Sequence, residues 1–234
     1  RGIRMMLDKP EIFRQQLRAL LRASTMKNIK IMFPMISGLT ELLEVLELLN
    51  DVKEELRGEG MAFDESMEIG LMIEVPSAVF IADELAKHVQ FFSIGTNDLV
   101  QYLMAVDRNN ELIADLYQEF HPAVLRAIKH TIDTGHANGL WVGMCGEMAG
   151  NPLATLLLLG MGLDEYSMVP SVIPEVKTII RSTPFTEAKA VADEALSLSN
   201  SFDVRSFLYT YMRDHFPELY ASWMTGENGE NDVE

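Results

Sequence analysis

A few short stretches of this sequence set polar, chemically competent side chains at the ends of apolar runs. Glu74 closes IGLMIE just before Val75-Pro76, Asn97-Asp98 follow SIGT, and Cys145 closes LWVGMC between Gly143 and Gly146. Asp107-Arg108-Asn109-Asn110 places a cation soon after Asp98, and Arg1 and Arg4 form a second cationic pair at the start. A carboxylate ending an apolar strand is costly to bury unless something satisfies it, and a metal ion is one natural partner. Carboxylates that end neighbouring parallel strands about 4.8 Å apart can reach one cation. Two hard oxygens, completed by water and a phosphate, is how Mg2+ is commonly held. The plainer reading makes Glu74 the cap of a helix starting near Ser77, and Asp98 the cap of the turn after its own strand. Arginine suits phosphate or carboxylate because its planar fork donates two parallel hydrogen bonds, although a loop arginine such as Arg108 is often only solvated. Cys145 is either a small core residue or a thiol with glycine-made room for a ligand. The histidines His88, His121, His130, His136 and His215 show no ligand-like pairing and read as non-catalytic. Gly160-Met161-Gly162 lacks the strand-then-helix setting of a dinucleotide fingerprint.

The elements that must carry these residues alternate between two textures. Apolar runs at 30–35, 69–74, 89–95, 140–145 and 165–168 lack polar alternation, as expected of strands buried on both faces of a parallel sheet. Between them lie helical periodicities. One starts at Thr40 as N-cap and repeats through Leu42, Val45, Leu46, Leu49, Val52 and Leu56 to Gly58. Others cover 10–24, 77–86, 122–137, 152–159, 174–181, 187–198 and 204–215. Strand-helix alternation implies right-handed βαβ units, and ligands in such folds bind at the carboxyl ends of the strands. Glu74, Asn97, Asp98 and Cys145 all fall at such ends. The fold class expected is α/β of the (β/α)8 TIM-barrel type, here a fragment with about five of the eight βα units. The abrupt start within an element suggests that earlier strands are missing. The barrel portion is placed at 1–222 and an acidic disordered tail at 223–234.

Composition narrows the function further. The chain has 234 residues, 48% of them hydrophobic and 23% charged, with a formal net charge of −16. That is globular, and the acidity disfavours nonspecific nucleic-acid binding. No segment reads as a membrane span or secretory signal, and a single cysteine cannot form an internal disulfide, so a cytoplasmic protein is expected.

The strings RGIR, IMFPM, FDESMEIGLMIEVPSA, FFSIGTNDLVQYLMAVDRNN, HPAVLRAIK, GMCGEMAGNPLATLLLLGMGLDEYSM and IPEVKTIIR run in order over about residues 1–183. Together they closely resemble the phosphoenolpyruvate-binding domain of Enzyme I, the phosphoenolpyruvate-protein phosphotransferase of the bacterial sugar phosphotransferase system. Pyruvate phosphate dikinase and phosphoenolpyruvate synthase share the glutamate, the GTND string and the cysteine-glycine-glutamate string, but are less similar around VDRNN and LDEYSM. A phosphoenolpyruvate-sensing module without turnover is a third reading, disfavoured by the presence of Glu74, Asp98, Arg108 and Cys145. The resemblance implies that Glu74 and Asp98 ligate Mg2+, and that Asn97, Arg108 and Arg1 contact phosphoenolpyruvate. It also implies that Asp98 belongs to the substrate site and that Cys145 protonates the enolate to give pyruvate. The implied partners are an N-terminal phosphohistidine domain, a histidine-containing phosphocarrier protein and, in the full-length protein, a second copy in a homodimer. Two arginines that the family draws from preceding strands have no match here, so this chain alone is expected to be inactive.

Overall fold

The computed structural model describes residues 2–225. Arg1 and most of the acidic tail therefore lie outside the described residues. The chain opens with α1 (Gly2–Asp8) and α2 (Pro10–Ala23), followed by β1 (Ile31–Phe33) and the long α3 (Leu39–Gly58). Pro34 ends β1 earlier than the apolar run suggests, since proline cannot donate to the ladder. The expected cap at Thr40 is corrected: Gly38 is the N-cap, and both Ser37 groups, N–H and hydroxyl, donate to Glu41 Oε2 at 2.7 and 2.6 Å. Thr40 lies inside the first turn.

β2 (Ile69–Ile73) leads to two short helices, α4 (Pro76–Phe80) and α5 (Ala82–Ala86), where the periodicity had predicted one. Ile81 leaves the helical region at φ −118°, ψ 23°, and Val79, Ala82 and Leu85 are buried on either side of this break. β3 (Phe91–Gly95) passes without a loop into α6 (Thr96–Leu103), a helix absent from the sequence-based reading. α7 (Pro122–Ala137), β4 (Trp141–Cys145), α8 (Pro152–Met161) and β5 (Glu165–Tyr166) follow, β5 stopping two residues short of expectation. The remainder is helical: α9 (Ile173–Ser182), α10 (Phe185–Ser197), α11 (Ser201–His215) and α12 (Pro217–Thr225). Residues 223–225 are thus helical and not tail. No described helix is long and apolar enough to cross a membrane.

The strands form one parallel sheet in the order β1-β2-β3-β4-β5, with β1 and β5 at its edges. A doubly wound sheet reverses its order at a switch point; this one does not. Sequential parallel order with right-handed crossovers puts the connecting helices on one face. That face carries Ile31, Phe33, Leu71, Ile73, Phe92, Ile94, Val142 and Met144, all buried. The register makes the alternate residues, including Met32, Phe91, Ser93, Trp141, Cys145 and Glu165, share the opposite face. There they line an open trough of about 690 Å3 with Lys30 and Ser167. Its amino-terminal end is built by Phe91 stacked on Trp141 at 4.4 Å between ring centroids, with the Lys30 ammonium 4.5 Å from a Trp141 ring centroid.

Candidate active site at the carboxyl ends of β2, β3 and β4

The parallel register decides which residues meet. Ile73 pairs with Ile94, and Gly95 with Cys145, so Glu74, the Gly95–Asp98 segment and Cys145 emerge at the same end of three adjacent strands. Glu74 is only 4% exposed. Its Oε1 accepts the backbone N–H of Met35 at 2.7 Å, which ties the loop after β1 to the end of β2. Its Oε2 lies close over Gly95, where an added Cβ would approach it to 2.9 Å. Glycine at 95 therefore lets the buried carboxylate lie against the end of β3. Asp98, 8% exposed, sits in the first turn of α6, where the helix dipole favours negative charge.

The junction between β3 and α6 is braced against the end of β4. Thr96 Oγ1 donates to the Cys145 carbonyl at 3.1 Å, and Asn97 Oδ1 accepts the Glu147 N–H at 3.0 Å. With its oxygen so engaged, the Asn97 side chain presents its amide N–H groups as the donating end. Both contacts require Gly146 between them. Gly146 adopts φ +100°, and a Cβ there would meet Thr96 Oγ1 at 2.4 Å and Asn97 Oδ1 at 2.7 Å.

Cys145 is a half-buried free thiol on the trough face. Burial pushes its pKa up, a hydrogen bond with the Ser93 hydroxyl opposes this, and the Glu74 and Glu165 carboxylates push it further up. The group is a protonated thiol at neutral pH, suited to giving a proton and not to attacking as a thiolate. Tyr117 joins the site from the segment after α6: its hydroxyl donates to the Asn97 carbonyl at 3.4 Å. Burial, then the carboxylates of Glu147 and Glu119, raise its pKa to about 12, with Arg108 pulling the other way and Asp98 adding to the rise. Arg108 itself is exposed, on the same segment. Arg4 pairs with Glu41 at 3.5 Å, and Glu41 also accepts from Ser37 on the loop after β1. Arg1 lies outside the described residues, so its candidate role rests on the sequence.

Several contributors were not singled out from the sequence. Ser93 was legible in principle, standing two residues before Gly95 and so on the same face. The Met35 N–H and the Tyr117 hydroxyl were not, because each meets its partner only through the tertiary fold.

The donor set fits a hard divalent cation in part. Glu74 at the end of β2 and Asp98 just after β3 put two carboxylates at one end of adjacent strands. Among the described residues no cluster of three or more His, Cys, Asp or Glu side chains could hold a metal ion by themselves. A cation that keeps water and substrate oxygens in its shell, as Mg2+ does, is the kind such a pair suits.

A parallel α/β sheet that gathers carboxylates and a thiol at its carboxyl ends places them where ligands bind in such folds, and the comparisons with known proteins give the family. Residues 1–185 match the family described as PEP-utilising enzyme, PEP-binding domain, and the chain belongs to that family. The phosphoenolpyruvate-protein phosphotransferase of Haemophilus influenzae is 49% identical over 215 residues, covering 92% of this chain and 37% of that protein. That of Bacillus subtilis is 50% identical over 208 residues, covering 89% of this chain and 36% of that protein. The chain thus spans little more than a third of the length of these relatives. Among solved structures, a citrate lyase from Burkholderia xenovorans superposes with a TM-score of 0.52 at 17% identity, covering 86% of this chain and 68% of that one. The likeness to the lyase concerns the fold alone.

Proposed function

We propose that this chain is the substrate domain of a phosphoenolpyruvate-protein phosphotransferase, and that its sheet is an arc of a (β/α)8 barrel. In this reading the domain binds phosphoenolpyruvate and supports transfer of the phosphoryl group to a histidine on a separate domain, releasing pyruvate. One observation carries it: β2, β3 and β4 deliver Glu74, Asn97-Asp98 and Cys145 to one sheet end, in a chain about half identical to enzymes named for that activity. Sequential strand order and a trough lined by every second residue support the barrel arc.

Glu74 and Asp98 would hold Mg2+, which when bound neutralises phosphate charge and aligns the substrate. The Asn97 amide donates to the anionic substrate, and the guanidinium groups of Arg108 and Arg1 contact its phosphate and carboxylate. Transfer breaks the bond between phosphorus and the enol oxygen, whose electron pair stays on that oxygen, while a histidine nitrogen gains the phosphoryl group. The enolpyruvate left behind becomes pyruvate when carbon 3 takes the Cys145 thiol proton. The resulting thiolate recovers a proton from water.

The phosphocarrier protein that receives the phosphoryl group from the phosphohistidine domain, a homodimeric full-length protein and a cytoplasmic location complete the reading. Calorimetric titration of phosphoenolpyruvate with and without Mg2+ tests it. Mg2+-dependent binding that disappears in Asp98→Ala agrees with the proposal, and binding indifferent to both contradicts it.

A further inference from the structure

We propose that Gln101 is a positioning residue that fixes where Arg108 stands relative to the substrate, an inference that rests on the assignment of Arg108 to phosphoenolpyruvate. The segment after α6 is largely exposed and carries only a 3-10 helix over Glu111–Leu116, yet it is fastened to α6 at both ends. At its entry Ala105 turns the chain at φ +53°, and the Val106 N–H donates to the Gln101 carbonyl at 3.0 Å, with Val106 buried. Two residues on, the Arg108 N–H donates to the Gln101 side-chain Oε1 at 3.2 Å. One residue of α6 thus receives both N–H groups. At the exit, Tyr117 donates to the Asn97 carbonyl one helical turn earlier.

Between these anchors the segment is shaped by its own short contacts. Asp107 Oδ1 accepts from the Asn109 N–H at 2.9 Å, and Asn110 Oδ1 accepts from the Leu112 N–H at 3.1 Å. These contacts set local turns without reaching the sheet. The Arg108 backbone therefore takes its position from Gln101, and the guanidinium can work against the α6 amino-terminal turn only while that backbone is held. Preorganising a cation in this way spares the ordering cost at binding. Gln101 touches no reacting atom in this account; it acts through Arg108.

A double-mutant cycle on the full chain tests the assignment, with phosphoenolpyruvate affinity in Mg2+ measured by calorimetry. Gln101→Met keeps side-chain length and removes the acceptor. It should weaken binding about 3- to 10-fold when Arg108 is present, the range of one hydrogen bond, and less than about 2-fold in Arg108→Ala. Amide exchange across 106–110 should accelerate in Gln101→Met, with α7 unchanged. Tyr117→Phe, which removes the other anchor, should repeat the same dependence on Arg108. Equal losses in both Arg108 backgrounds, no loss in either, or unchanged exchange at 106–110 would overturn the proposal. An Arg108→Ala chain with unaltered affinity would instead sink the assignment of Arg108 to the substrate, a failure visible without touching Gln101.

Discussion

The backbone N–H of Met35 donates to Glu74 Oε1 at 2.7 Å from a residue held in the left-handed region at φ +61°. A bulky residue at positive φ is strained, and such strain persists where surrounding structure over-determines it. Here it orients a buried carboxylate, fixing one oxygen on the loop after β1 and turning the other toward Gly95.

Glu74→Gln separates the two tasks of that side chain. Glutamine still offers a carbonyl oxygen to the Met35 N–H, so the fold should survive with little change in Tm. Mg2+-dependent phosphoenolpyruvate binding should fall by at least about 100-fold, beyond the 10- to 100-fold typical of outer-shell changes. Calorimetry with and without Mg2+ checks it; retained metal dependence would remove Glu74 from the ligand set.

Gly146→Ala should damage stability and site together. The added methyl meets strain at φ +100° and collides with Thr96 Oγ1 and Asn97 Oδ1. A cost of about 1–3 kcal/mol is expected, equivalent to roughly 2–12 °C in Tm for a chain of this size. Thermal unfolding measures the cost, and an unshifted Tm would show that the β3–α6 junction is not braced on β4 as described.

Much of the fold was legible because largely buried strands leave short apolar runs between helical periodicities, although the apolar run of α8 shows that a buried helix can leave one too. Leu71, Phe92 and Val142 each mark such a run. α6 was missed because TNDLVQYL follows β3 without a connecting loop, and its polar opening reads as a turn. The polar residues at strand ends were legible by position alone. Their partners were not: Met35 and Glu74 stand 39 residues apart, and Asn97 and Glu147 stand 50 apart, so only parallel register brings them together. Tyr117 offered no periodic signal, because it caps a 3-10 helix of only six residues.

Acid should open the amino-terminal end of the trough. The Lys30 hydrogen bond holds the Glu68 carboxyl below the ordinary glutamate range, burial opposing and the Trp141 indole N–H, at 3.1 Å, adding to the effect. A depressed folded pKa means that this contribution is complete above the ordinary value and is lost as pH falls through the lowered one. Trp141 fluorescence in a Trp223→Phe chain, which removes the other tryptophan, should change with a midpoint below the ordinary glutamate range. Glu68→Gln should abolish that transition, and a transition surviving it would contradict the assignment.

The proposed reaction needs Cys145 as the proton donor to carbon 3. Phosphoenolpyruvate affinity and pyruvate formation should be compared for Cys145→Ala and the unsubstituted sequence in a phosphotransferase that contains this chain with its acceptor histidine. Affinity should change less than about 3-fold, because the proposed site assigns binding to the carboxylates, Asn97 and the arginines, while pyruvate formation should fall by about 100-fold or more, the scale of a lost general acid. Unchanged pyruvate formation would return Cys145 to a packing role, and a large loss of affinity would make that role structural.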